Sequence, residues 1–90
     1  MPSIRIPTPL RSYVDGRSEI DVQGESVSRA LESLVDQYPG IKPHLFNGSG
    51  DLRPFVNLFL EQENIRDLQG LETPLGTDDQ LRLIPSIAGG

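Results

Sequence analysis

The sequence predicts a small α+β domain in which one main helix packs on a mixed sheet of four to five strands. Three observations lead to this prediction. Two short stretches near the start alternate between apolar and polar residues, one helical pattern of apolar residues occupies the middle, and two further apolar stretches follow it. The 90-residue chain is long enough for one hydrophobic core but too short for two. We therefore expect one folded domain.

The first two strands are predicted by alternation on either side of an Asp-Gly turn. In residues 3–7, Ile4 and Ile6 lie on one face. The alternation returns in residues 18–22, after the turn sequence VDGR at residues 14–17. We therefore expect an antiparallel hairpin with a long loop between its strands.

The helix is predicted over residues 26–38, where apolar residues recur with the spacing of one helical face. Glu25 or Ser26 supplies the N-terminal cap region of this helix. Pro39 and Gly40 end it, because proline cannot continue the hydrogen-bond ladder and glycine accepts a left-handed turn.

The second half of the chain predicts further strands separated by irregular segments. Residues 40–51 are punctuated by glycine and proline, which is typical of a loop, with one helical turn around residues 44–46. Strands are expected at residues 55–60 and 80–85, with a short edge strand at residues 64–66. This order is that of the β-grasp, or ubiquitin-like, architecture, and the right-handed crossover preference makes its first and last strands parallel neighbours.

The predicted core consists of the apolar residues on the inward-facing positions of these elements. They are Ile4, Ile6, Ile20, Val22, Val27, Leu31, Leu34, Val56, Leu58, Leu81 and Leu83.

Composition excludes several classes of function. The chain has no cysteine, which rules out a disulfide framework, a thiolate zinc site, an iron–sulfur cluster and a cysteine nucleophile. The net charge of −5, with arginines scattered rather than clustered, argues against a nucleic-acid partner. No apolar run approaches the roughly 18 residues that span a membrane, and the N-terminus lacks the pattern of a signal peptide. We expect a cytoplasmic protein that binds neither nucleic acid nor membrane.

No pattern in the sequence is typical of an enzyme site. His44 lies in a predicted loop without a nucleophile or acid at a useful spacing, and we expect it to be a surface residue. The acidic pairs at positions 61 and 63 and at 78–79 are typical of solvated turns, so we predict no metal site. No glycine-rich phosphate loop occurs either. The chemically distinctive group that remains is the carboxylate of the C-terminal residue, Gly90.

Four segments carry a resemblance to a known family. They are IPTPLR at residues 6–11, RPFVNLFL at 53–60, LETPL at 71–75 and IPSIAGG at 84–90. Together they resemble the small sulfur-carrier proteins related to the molybdopterin synthase small subunit and to the thiamine-pathway sulfur carrier. The resemblance is greatest to the subgroup that carries sulfide for the biosynthesis of cysteine.

This resemblance implies that the chain is a carrier and not an enzyme. An E1-like partner would adenylate the carboxylate of Gly90 with ATP, and a sulfur donor would displace AMP and leave a thiocarboxylate. ATP is then used by the partner, and no cofactor is bound by the carrier. The sulfur would pass to a biosynthetic enzyme such as a pyridoxal phosphate sulfhydrylase. Residues 1–85 form the β-grasp domain, and residues 86–90 form a flexible tail that spans roughly 16–18 Å when extended.

The resemblance also implies a docking surface at the base of this tail. The strand phases place Phe59, Ile84 and Pro7 on the face away from the helix. Ala88 and Gly89 would enter the partner's channel, where small residues leave room around the reacting carbon, and Ile87 would also bind the partner. In the alternative interpretation, the loop at residues 40–51 covers Phe59 and Phe55.

Other functions remain open for the same sequence. The chain could be the small subunit of molybdopterin synthase, or a ubiquitin-like modifier that is joined through Gly90 to lysines of target proteins. It could also be a β-grasp subunit with a structural role alone, for which the terminal glycines would be dispensable.

Overall fold

The computed structural model describes residues 1–54 and 56–85, in which a mixed five-stranded sheet packs with one main helix around a single core. The strands are β1 (Ser3–Arg5), β2 (Glu19–Asp21), β3 (Val56–Leu60), β4 (Glu63–Asn64) and β5 (Gln80–Pro85). The helices are α1 (Val27–Gln37) and the short α2 (Lys42–Leu45). Four 3-10 segments connect them, at Thr8–Val14, Pro39–Ile41, Ile65–Asp67 and Gly70–Glu72.

The strand order places the last strand in the middle of the sheet. It is β2-β1-β5-β3-β4. The β1–β5 pair is parallel, with Ile4 opposite Leu81, and the other pairs are antiparallel. The predicted hairpin, the predicted parallel pair and the β-grasp architecture are all confirmed.

Helix α1 follows from its cap and its apolar spacing. The Oγ of Ser26 accepts a hydrogen bond from the backbone N–H of Arg29 at 3.3 Å, which satisfies one of the free donors of the first turn. The helix ends at Gln37, two residues before Pro39. Both ends lie within one residue of the predicted bounds of 26 and 38.

Gly24 allows the start of α1 to approach the preceding chain closely. Its φ is +145°, a conformation that residues with a side chain rarely adopt. A Cβ at this position would lie 2.7 Å from the Cβ of Arg29 and 2.8 Å from the backbone nitrogen of Ala30. Both the torsion and the contact therefore require glycine.

Every predicted core residue is buried, and further residues join the core from segments without a clear pattern. The additional members are Leu10, Val14, Ala30, Ile41, Leu45, Ile65 and Leu75. Burying an aliphatic side chain contributes about 1.5–3 kcal/mol, so these unpredicted residues supply a substantial share of the stability.

Three local predictions were wrong in detail. The segment Thr8–Val14, expected to be part of the long hairpin loop, is a 3-10 helix whose buried side chains Leu10 and Val14 anchor it to the core. The edge strand is Glu63–Asn64 rather than 64–66, because Ile65 turns inward and starts a 3-10 segment. The helical turn expected at 44–46 is α2, which begins at Lys42.

Candidate functional site

The candidate site begins at the end of β5, from which the predicted tail continues. Leu81 and Leu83 are buried, whereas Arg82 and Ile84 are exposed, so the strand shows the expected alternation. Pro85 is half-buried and is the last described residue. The predicted reactive end and its neighbours, Gly90, Gly89, Ala88 and Ile87, lie outside the described residues, as does the whole predicted tail 86–90.

Phe59, Arg82 and Ile84 lie on the side of the sheet opposite the core, which we call the open face. Phe59 is the register partner of Arg82, and Asn57 is that of Ile84. Ile84 is 40% exposed, and Phe59 is half-buried. The guanidinium carbon of Arg82 lies 5.8 Å from the centroid of the Phe59 ring, at cation–π distance. The open face therefore combines two apolar side chains with a cation.

Pro7 lies beyond the paired residues of the sheet. It is half-buried, and it follows β1 by two residues. The parallel register of β1 and β5 ends with Arg5 opposite Arg82. Of the three docking residues that the sequence predicted in the described part of the chain, the strand pairing therefore places Phe59 and Ile84 on one face, and it does not include Pro7.

The loop at residues 40–51 packs on the side of α1. Ile41 and Leu45 belong to the core, and Phe46 lines a groove with Ser28 and Val35 of α1. The alternative in which this loop covers Phe59 would require the loop on the opposite side of the sheet. Phe55, the other residue named in that alternative, lies outside the described residues.

Arg66 forms hydrogen bonds to the main chain at the start of β3, and the sequence did not predict them. Its Nη1 donates to the carbonyl of Pro54 at 3.0 Å. Its Nη2 donates to the carbonyls of Arg53 at 3.0 Å and of Val56 at 2.9 Å. We call this arrangement the Arg66 clasp. No periodicity signals it, because it joins segments that only the folded chain brings together.

The surroundings of Glu19 on β2 alter its ionisation. Hydrogen bonds from Ser3 and from Gln80, the latter at 2.7 Å, lower the pKa of Glu19 below its ordinary value of 4.5, and the charge of Arg5 adds to the effect. These groups favour the carboxylate because they bind its charged form.

The other candidate groups have structural surroundings. His44 is half-buried in α2, and its ring lies against Tyr13 with a centroid separation of 4.1 Å, so it is more enclosed than the expected surface residue. Among residues 1–54 and 56–85, His, Cys, Asp and Glu side chains form no cluster that could hold a metal ion. No helix in this part of the chain has the length and apolar character needed to cross a membrane.

Comparison with known proteins places this geometry in a family. The model of the ThiS family matches residues 4–90, which is nearly the whole chain. The chain belongs to the ThiS family. Its predicted relation to the small sulfur carriers is thereby confirmed.

Individual relatives match over nearly their full length. The sulfur carrier protein CysO of Mycobacterium tuberculosis is 31% identical over 90 residues, covering 98% of this chain and 97% of the relative. A crystal structure of the Amycolatopsis orientalis BexX/CysO complex gives a TM-score of 0.91 at 29% identity, with complete coverage of both chains. The solution structure of small archaeal modifier protein 1 from Methanosarcina acetivorans gives 0.87 at 32% identity and covers 99% of this chain and 95% of the other. CysO is thus a relative whose name describes it as a sulfur carrier protein.

Proposed function

We propose that this ThiS-family protein is a sulfur carrier that holds sulfide as a thiocarboxylate on Gly90. The observation that carries the proposal is the extent of the family match, which runs to residue 90 and so includes the terminal Gly-Gly pair. The absence of cysteine from the sequence is compatible with this role, because the carried sulfur would be bonded to the main chain.

The chemistry requires activation before sulfur transfer. A carboxylate is a poor electrophile, so an oxygen of Gly90 first attacks the α-phosphorus of ATP on an E1-like enzyme, and pyrophosphate leaves. The product is a mixed anhydride with AMP, which is a good leaving group. Hydrosulfide then forms a bond to the carbonyl carbon, the bond to the AMP oxygen breaks, and a proton leaves the sulfur. No electrons are exchanged, and glycine places no side chain around the reacting carbon.

The open face supplies the surface through which the activating enzyme would hold the carrier. Phe59 and Ile84 present apolar area beside the end of β5, and Arg82 adds hydrogen-bond donors. Aromatic and arginine side chains are common anchors of protein interfaces. The tail residues Ile87, Ala88 and Gly89 would extend beyond this surface into the active site of the enzyme. A CysO chain from A. orientalis has been crystallised in complex with BexX, so a relative does bind another protein.

For the sulfur acceptor, we propose an enzyme of cysteine biosynthesis, such as a pyridoxal phosphate sulfhydrylase. The similarity to CysO over the full chain supports this acceptor. The alternative is a role as the small subunit of molybdopterin synthase. Copurification with a large catalytic subunit would favour that alternative, and copurification with a sulfhydrylase would favour the cysteine pathway.

A second candidate function is protein modification. The similarity to the modifier protein of M. acetivorans, at 32% identity, favours this candidate. In that case Gly90 would be joined by an amide bond to lysines of target proteins. Conjugates of higher mass in cell extracts, lost when Gly90 is deleted, would identify a modifier.

Thiol labelling gives a sharp test of the carrier role. The protein is incubated with its E1-like enzyme, ATP and sulfide, and is then treated with iodoacetamide. Because the chain has no cysteine, a terminal thiocarboxylate would be the group that a thiol reagent labels. We expect an intact mass that shows one oxygen replaced by sulfur, and one added label.

The matched control is a chain that lacks Gly90 and is treated in the same way. It should gain neither sulfur nor label. A full-length chain that stays unmodified, or a truncated chain that is modified equally well, would exclude the proposed chemistry.

A further inference from the structure

Among the described residues, the last residues of β5 pair with a neighbouring strand on one side, that of β3. The pairing of β1 with β5 ends at Arg82, whereas the pairing of β3 continues to Pro85. We call residues 83–85 the root, because the terminal tail continues from them. Within the described chain, the position of the root in the sheet therefore depends on the first residues of β3.

Val56, the register partner of Pro85, does not use its main-chain groups for bonds to β5. Its N–H donates to the carbonyl of Arg53, and its carbonyl accepts from Arg66. Such non-hydrogen-bonded pairs alternate with hydrogen-bonded ones in an antiparallel ladder. The first residue of β3, and with it the root, therefore draws support from groups outside the β3–β5 ladder.

The Arg66 clasp supplies this support. One guanidinium binds three carbonyl acceptors, those of Arg53, Pro54 and Val56, at 2.9–3.0 Å. The carbonyl of Arg53 also accepts the backbone N–H of Val56 at 3.0 Å, so the clasp closes a turn that leads directly into β3. A planar guanidinium with five donors suits such a set of acceptors, and an ammonium group does not reproduce its geometry.

The main chain of Arg66 is held by its neighbours in the sequence, Asn64 and Ile65. Its backbone N–H donates to the Oδ1 of Asn64 at 2.9 Å, and Asn64 is the register partner of Phe59. Ile65, next to it, is buried in the core. The clasp thus connects the far edge of the sheet to the start of β3, and through the Val56–Pro85 pair to the root.

We propose that Arg66 is a positioning residue that holds the root so that the terminal tail leaves the domain in the direction that the activating enzyme requires. This inference rests on the proposed function. Arg66 does not touch the reacting atoms in this proposal. It acts through Val56 and Pro85, because a displacement of the root would displace the attached carboxylate, and small misplacements of a reacting group are costly.

The test compares Arg66→Lys with Ile20→Val. The lysine variant keeps the charge but loses the fork of donors. Ile20 is buried on β2, at the other edge of the sheet, so its shortening lowers stability without touching the root. Both proteins are studied at a temperature at which circular dichroism shows each to be folded. Arg66→Gln serves as a second variant in case the lysine side chain reaches one of the carbonyls.

The first measurement is hydrogen exchange, which does not depend on the sulfur chemistry. In Arg66→Lys we expect faster exchange of the amides of residues 56–58 and 83–84, with the β1–β2 hairpin unchanged. The second measurement is the rate of sulfur loading by the activating enzyme with ATP and inorganic sulfide. We expect kcat to fall roughly tenfold for the Arg66 variants, because a misdirected tail reaches the active site less often. KM should change less than kcat, because the substitution leaves unchanged the open face through which the enzyme would bind the carrier.

Several results would overturn the role of Arg66. Unchanged exchange at the root would show that the clasp does not hold it. A uniform increase throughout the sheet, or a loading rate equal to that of Ile20→Val, would show an effect on stability alone. A wild-type chain that never gains sulfur would instead refute the proposed function, and the role of Arg66 would fall with it.

Discussion

Replacing Gly24 with alanine should destabilise the domain strongly, because two separate costs coincide there. The φ of +145° lies in a region that is nearly restricted to glycine, and holding another residue there costs about 1–3 kcal/mol. The new Cβ would also lie 2.7–2.8 Å from atoms of Arg29 and Ala30. Most of these are backbone atoms of α1, so relief requires the helix to move, and such overpacking costs about 1–3 kcal/mol.

The sum of about 2–6 kcal/mol is large compared with a typical total stability of about 5–15 kcal/mol. In a domain of this size each 1 kcal/mol lowers Tm by about 4–8 °C, so Gly24→Ala should lower Tm by at least about 8 °C. Urea unfolding followed by circular dichroism measures the loss directly.

The same substitution at two other glycines distinguishes the cost of the backbone torsion from the cost of the close contact. Gly16 has a φ of +77° but open space around it, so Gly16→Ala carries the torsional cost alone, about 1–2 kcal/mol. Gly48 has neither a positive φ nor a close neighbour, and Gly48→Ala should stay within about 0.5 kcal/mol of the wild type. If Gly24→Ala and Gly16→Ala lose the same amount, the contact with α1 has no energetic importance. A loss below about 0.5 kcal/mol at Gly24 would refute both parts of the reasoning.

Three further predictions concern the helix cap, the pH dependence and the open face. Ser26→Ala removes the acceptor for the N–H of Arg29, so it should lower the free energy of unfolding, measured in urea, by about 1 kcal/mol. The control Ser12→Ala, at an exposed position outside this cap, should leave the free energy of unfolding unchanged. Because the folded pKa of Glu19 is lowered, its carboxylate stabilises the fold above the ordinary value of 4.5, and this contribution is lost as the pH falls through the folded pKa. Glu19→Gln should remove that part of the pH dependence in urea titrations between neutral and acidic pH, and an unchanged profile would contradict the assignment. Ile84→Asp should raise the KM of the activating enzyme for the carrier about tenfold, while Leu68→Asp, at an equally exposed position of 40%, should leave it unchanged. Equal effects of the two aspartates would argue against docking on the open face.

The elements with strong local signals were predictable from the sequence. The helix has both a capping serine and a full apolar stripe, so its ends were predicted within one residue. The strands that alternate, such as Gln80–Pro85, were placed with their faces correct. The alternation of apolar residues along β3 and β5 was therefore sufficient to assign Phe59 and Ile84 to the open face.

The remainder depends on contacts between distant segments. Leu10, Ile41 and Leu75 lie in stretches rich in proline and glycine, where a single apolar residue has no period that would mark it as buried. Arg66 looks like a surface arginine in the sequence, because its acceptors are carbonyls 10 to 13 residues away. Such backbone acceptors carry no residue-type signal, so the clasp could be found only in the folded chain.

The central place of β5 has a consequence for the biosynthesis of the protein. This strand is the last described element to leave the ribosome, yet it lies between β1 and β3, and the core needs its buried side chains Leu81 and Leu83. The nascent chain therefore cannot complete its sheet until residues 80–85 have been translated, and contacts between such distant parts of a chain form slowly. A polypeptide interrupted before residue 80 would lack the central strand and would be open to proteolysis. Degradation would then remove incomplete chains, so that partner enzymes would meet carriers whose last strand is already in place.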